Sequence, residues 1–108
     1  MSRAQWRPRS GKCAVCGRRG PIWFHHVVHR QHVEREGGDV WDFRNALAVG
    51  RPFLCTCHAD HHSGKRRIPA YLLPQGAADF ATELLGEDRA SAYWRRYYTT
   101  TYGGRHAA

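Results

Sequence analysis

Apolar positions along this chain follow two periods, and the change between them divides it. In the N-terminal half they form short β-branched and aromatic runs, Ile22 to Val28 and Ala46 to Val49, which predict strands. Glu36-Gly37-Gly38-Asp39 is a turn signal, after which Val40-Trp41-Asp42-Phe43 leads toward the second strand. Gly50-Arg51-Pro52 breaks the chain before Phe53-Leu54-Cys55. A short helix is predicted from His58 to His62, ending by Ser63-Gly64. Beyond it, Pro69 and Pro74 bracket the apolar link Tyr71-Leu72-Leu73. Ala77, Phe80, Ala81, Leu84 and Leu85 then recur at i, i+3, i+4, i+7 and i+8, one face of a helix. Ala90, Tyr93, Trp94 and Tyr97 repeat the pattern after Gly86, with Arg95 and Arg96 on the other side. Both stripes read as core. The expected class is therefore α+β, with the C-terminal helices packed on a small strand-and-helix unit. Residues 1–12 read as a basic, loosely ordered arm and 99–108 as a frayed tail; no internal repeat is visible.

Length and charge narrow the class of partner. A chain of 108 residues is most simply one domain and buries only about two thirds of its unfolded surface, so it gains from a metal staple. The natural division is a core at 13–64, then a basic linker and helices at 65–98. The formal net charge is +8, carried by Arg far more than by Lys, which occurs only at Lys12 and Lys65. Guanidinium forks match phosphate geometry, which favours nucleic acid over a generic acidic partner. A charge surplus that serves only solubility would give the same total. Met1 to Ser10 has no apolar core of a secretory signal, and no stretch reaches the roughly 18 apolar residues of a membrane span. The expectation is no membrane partner and a reducing, cytoplasmic setting, where cysteines bind metal more readily than they pair.

Cys13-Ala-Val-Cys16 sits in a Gly- and Arg-rich turn and places two thiolates where one tetrahedral ion can take both. Cys55-Thr56-Cys57 is a tighter pair, and the four together make a closed structural Zn²⁺ site with no open position for water. The alternative is four buried or disulfide-bonded cysteines. A redox role is weaker, because no βαβ pattern surrounds the Cys-x-x-Cys.

The chain also carries eight histidines. His58 and His62 lie one helical turn apart and project from the same face, and His61, at i+3 from His58, is a third candidate. His25 and His26 are neighbours on a probable strand, so their side chains point to opposite faces. One can complete a metal site while the other, neutral near physiological pH, accepts a proton from water. Asn45 cannot shuttle protons but can brace a loop through its amide.

The order Cys-x-x-Cys, His-His-Val, Asn, Cys-His-x-x-x-His resembles the HNH endonucleases, whose fold is a ββα-metal finger around one ion. The match covers roughly Cys13 to Gly64. The resemblance implies that His25, His58 and His62 hold a catalytic divalent ion, that His26 is the general base and that Asn45 orders its loop. The family's second thiol pair usually reads Cys-x-x-Cys, where this chain has Cys55-x-Cys57, and many relatives carry an acidic residue in place of His25. Small size, Arg content and a helical tail look most like the stand-alone HNH proteins of bacteriophages, which makes a terminase or other DNA-packaging partner worth considering.

The expected function is metal-dependent hydrolysis of DNA phosphodiester bonds. Mg²⁺ or Mn²⁺ is the expected catalytic ion, and imidazoles also accept Ni²⁺, Co²⁺ or Zn²⁺. Arg18, Arg19, Arg30, Lys65, Arg66 and Arg67 are candidates for gripping the DNA backbone. Two other readings compete: a zinc-dependent nucleic-acid-binding module without catalysis, and an interaction protein whose terminal helices, with Tyr93, Trp94 and Tyr97, dock on a larger assembly.

Overall fold

The computed structural model describes residues 3–99. Five strands and four α-helices lie within that span: β1 (Arg9–Lys12), β2 (Arg19–His26), α1 (Arg30–Arg35), β3 (Ala46–Gly50), α2 (Cys57–His62), β4 (Ile68–Pro69), α3 (Gly76–Leu85), α4 (Glu87–Tyr97) and β5 (Tyr98–Thr99). The result is a mixed α/β unit.

β1, β2 and β3 form an antiparallel sheet in that order. Its centre is β2, which runs from Arg9↔Ile22 to Lys12↔Arg19 against β1 and from Ile22↔Gly50 to His26↔Ala46 against β3. Alternation along β2 sends successive side chains to opposite faces. Trp23 and His25 face α2, with ring centroids 5.9 and 4.9 Å from His58. Phe24 and His26 face the other way, toward Trp6 and the Phe43 side of the chain.

The two C-terminal helices fall where their stripes predict. Ala77, Phe80 and Ala81 of α3 and Ala90 and Tyr93 of α4 are buried. Leu84, Leu85, Trp94 and Tyr97 are half-buried against the same cluster as Val27, Val28, Val33 and Tyr98. Arg44 reaches from a short helical turn, Phe43–Asn45, to pair with Glu83 of α3 at 2.9 Å and Asp42 at 2.8 Å.

Three expectations need correction. Residues 1–12 are not a loose arm over their described part. Arg3–Trp6 is a short helical turn with Trp6 only 7% exposed, and Arg9–Lys12 is an edge strand. Its residues R-S-G-K carry no apolar signal, because a strand can be recruited by backbone pairing alone. Second, α1 occupies a segment for which no element was predicted; only Val33 of its six residues is buried, so no stripe announces it. Third, Thr99, expected to open a frayed tail, is paired: Tyr98–Thr99 runs parallel with Ile68–Pro69, and Tyr98 is fully buried. The rest of the expected tail, 100–108, lies outside the described residues.

Candidate metal centre

The thiol cluster is built from one turn and one helix start. Cys13 and Cys16 occupy the β1–β2 connection. There the Cys13 N–H donates to the Arg18 carbonyl and the Gly17 N–H to the Cys13 carbonyl, both at 2.9 Å. Gly17 takes φ +80°, a left-handed value that suits a residue without Cβ. Ala14 N–H donates to the Ala48 carbonyl at 2.9 Å and anchors the turn on β3. Cys57 opens α2 and Cys55 lies two residues before it.

All four sulfurs lie within 4.8 Å of one another. Cys13 Sγ and Cys55 Sγ are 3.7 Å apart. A tetrahedral ion about 2.3 Å from each sulfur spaces its sulfurs about 3.8 Å apart, whereas a disulfide needs about 2.05 Å. The expected staple therefore has the spacing zinc requires, including the short Cys55-x-Cys57 pair. Gly50 makes room for it: a Cβ there would stand 2.5 Å from Cys55 Sγ. Burial pushes Cys13 up, but hydrogen bonds from the backbone of Cys16, Gly50 and Val15 outweigh it and bring the thiol down to about 7. Burial raises Cys55 and Cys57. The fold thus favours ionisation of Cys13 without a cation, and a divalent ion would do the same for Cys55 and Cys57.

The second cluster is imidazole. His25 Nδ1 lies 3.1 Å from His58 Nε2, which lies 3.0 Å from His62 Nε2. An ion about 2.0–2.1 Å from each nitrogen spaces neighbouring ligands about 2.9–3.4 Å apart, so the rings fit one. The tautomer of His25 follows from its other partner. Tyr98 donates its hydroxyl proton to the Val27 carbonyl. Its oxygen therefore accepts, at 2.8 Å, from His25 Nε2–H. The lone pair of His25 is left on Nδ1, aimed at His58, as ligand-orienting partners achieve in metal sites. Burial lowers His25 well below the usual imidazole value, with His58 and His61 adding to it. Burial, then neighbouring histidines, brings His58 and His61 to about 4 and His29 to about 3. These rings are neutral and ready to bind a cation at physiological pH.

His26 sits across the strand from His25. Its ring stacks on Trp6 with centroids 4.2 Å apart, and Nε2 lies 3.0 Å from the Val40 carbonyl. A carbonyl only accepts, so Nε2 carries the proton and Nδ1 keeps the lone pair. Burial lowers the His26 pKa, opposed by the Val40 carbonyl. His26 is also close enough to His58 to bear on that residue's ionisation.

Asn45, 1% exposed, braces the segment that follows both histidines. Its Oδ1 accepts from Val28 N–H at 2.7 Å and its Nδ2 donates to the Val28 carbonyl at 2.9 Å. Its own carbonyl accepts from Val27 N–H at 2.9 Å.

The candidate phosphate ligands are scattered. Arg18 and Arg19 are exposed beside the thiol turn, where Arg18 Nη1 donates to the Leu54 carbonyl at 3.1 Å. Arg30 covers the Trp41 ring at 4.9 Å. Lys65, Arg66 and Arg67 are exposed, and Arg67 Nη1 donates to the Arg95 carbonyl at 2.8 Å. Arg66 and Arg67 meet Arg96 and Tyr97 around a hollow of about 210 Å³ that also touches His29, His61 and His62.

Sequence reasoning passed over Tyr98, the last residue of the segment read as linker and helices, and Trp6, read as part of an arm. It also passed over His29, whose Nε2 lies 3.0 Å from His61 Nε2. His29 was detectable only through the general excess of histidines. Comparison with models of known protein families, with curated proteins and with solved structures gives no match, so the reading of this centre rests on its side chains.

Proposed function

We propose that this protein is a metal-dependent endonuclease that hydrolyses DNA phosphodiester bonds in the manner of an HNH ββα finger. The antiparallel pair β2–β3 followed by α2 would be that finger, and the thiol cluster its structural zinc site. The observation that carries the reading is the meeting of His25, His58 and His62 around one point, with His26 the next residue along β2 and its Nε2 proton held on the Val40 carbonyl.

In this reading His25, His58 and His62 would hold a divalent ion, which would supply Lewis acidity for the negative charge that develops, typically worth several kcal/mol. An all-imidazole set without a carboxylate suits Zn²⁺, Ni²⁺ or Co²⁺ better than Mg²⁺ or Mn²⁺. His26 Nδ1 accepts the proton of a water as that water attacks phosphorus in line, and the 3′ oxygen departs and takes a proton from solvent water to become the 3′ hydroxyl. Positioned bases of this kind contribute about 10²–10⁴-fold. Trp6 and the Val40 carbonyl fix the ring of His26, and Asn45 fixes the chain just after it. Arg66, Arg67 and Arg96 hold the DNA backbone without reading its sequence.

The test is a panel of divalent metals on supercoiled plasmid, with end-group analysis. Cleavage giving 5′-phosphate and 3′-hydroxyl ends is expected, reduced about 10²–10⁴-fold in His26→Ala with DNA binding retained. Undiminished cutting by that variant would remove His26 from the base role. Tight DNA binding with no cleavage under any metal would favour the non-catalytic zinc module.

A further inference from the structure

A second triad shares one corner with the first. His25, His29 and His61 each offer a ring nitrogen, all within 4.8 Å of one another. His29 Nε2 faces His61 Nε2 at 3.0 Å. His61 is 5% exposed, and its Nδ1 is buried without a partner. The helix explains the symmetry. His58 and His62 are four residues apart and share a side of α2, while His61 is turned about 100° from His62. His25 stands between them, its ring 4.9 Å from His58 and 4.8 Å from His61. His29 completes the inner set from the segment after β2, its backbone N–H donating to the Tyr93 hydroxyl at 2.7 Å.

The two sets differ in access. In the first, His62 is exposed; in the second, both His25 and His61 are buried. They also compete. The Nε2 proton of His25 is committed to Tyr98, so His25 has a single lone pair to give.

We propose that the histidine cluster is a one-ion, two-seat site. A divalent transition metal binds either outward, with His58 and His62, or inward, with His29 and His61, and His25 Nδ1 is common to both. The proposal rests on the reading that these imidazoles hold a divalent ion and is independent of DNA cleavage. It makes His29 and His61 metal ligands in their own right. Imidazole donors favour cobalt, nickel or zinc in both seats. Both seats border the hollow lined by Arg66, Arg67 and Arg96, the outer through His62 and the inner through His29 and His61.

The experiment is a cobalt(II) titration followed by visible absorption, on protein whose thiol site is already filled with zinc. The parent is expected to bind one cobalt per chain. His58→Ala/His62→Ala should still bind one, within about tenfold of the parent affinity and with an altered spectrum. His29→Ala/His61→Ala should bind one with the parent's affinity, and His25→Ala should lose more than about a hundredfold. Retained zinc and circular dichroism check folding. Long-range ¹H–¹⁵N spectra of the parent with zinc(II) need no variant and should show metal-induced shifts at the ring nitrogens of His29 and His61.

Loss of cobalt binding in His58→Ala/His62→Ala, with binding kept by the parent and by His29→Ala/His61→Ala, would overturn the second seat. Unshifted His29 and His61 nitrogens at saturating zinc would do the same. Two cobalts per chain would overturn the exclusivity. A parent that binds none would instead remove the underlying reading of the histidines as ligands, and the two-seat proposal with it.

Discussion

Replacing Asn45 with Ala separates a bracing amide from an ordinary turn residue. The side chain is almost fully buried and makes two hydrogen bonds to one residue, accepting from Val28 N–H at 2.7 Å and donating to the Val28 carbonyl at 2.9 Å. Val28 is itself 0% exposed, so water cannot replace either bond without entering the core. Each buried backbone group left without a partner costs about 1–3 kcal/mol, giving about 2–6 kcal/mol for the pair. The Val27 N–H bond to the Asn45 carbonyl is backbone and survives. At about 4 °C per kcal/mol for a chain of this size, Asn45→Ala should lower Tm by roughly 8–24 °C. The assay is thermal unfolding by circular dichroism at fixed zinc, for parent and variant at equal concentration. Plasmid cleavage well below the variant's Tm should also fall, because residues 27–28 directly continue the strand end that carries His25 and His26. A Tm drop under about 3 °C would refute the claim that these two bonds hold the loop.

Other consequences are as direct. Tyr98→Phe removes the acceptor that fixes His25 Nε2–H, so affinity at the histidine cluster should fall about 10–100-fold while thiol-bound zinc is unchanged, as read by calorimetric titration of the second metal. Gly50→Ala forces a Cβ against Cys55 Sγ, an overpacking that costs about 1–3 kcal/mol, and should speed zinc release to a chelator. The histidine cluster without a second metal should show stability that rises with pH. His58 and His61 protonate at about 4 in the fold but near 6.5 when unfolded. The unfolded chain therefore binds more protons between those values. Stability is full above pH 6.5 and is lost as pH falls toward 4, which denaturant melts across that range will read; a flat profile would contradict the depressed values.

What the sequence disclosed was local. Cys-x-x-Cys in a glycine turn, histidines four apart on a helix, and a stripe at helical spacing each need only neighbouring residues to be recognised, and each is found where it was expected. Contacts between distant residues stayed hidden. Tyr98 reaches His25 across 73 positions, and Trp6 donates its indole N–H to the Trp41 carbonyl across 35. Nothing in R-S-G-K announces a strand, because β1 exists only through pairing with β2. Helix α1 buries Val33 alone, so its periodicity is silent and nothing singled out His29 just before it. The two faces of His25 and His26 were legible from strand alternation. The number of imidazoles gathered around His25 was not, since it depends on how α2 is turned against the sheet.

The most direct test of the central claim is a crystal of the protein grown with zinc and recorded at the zinc absorption edge. Two anomalous peaks per chain are predicted, one among the sulfurs of Cys13, Cys16, Cys55 and Cys57, the other bonded to His25 Nδ1 together with histidines of α2. A single peak at the sulfurs, with the histidine rings joined only by hydrogen bonds at saturating zinc, would contradict the account.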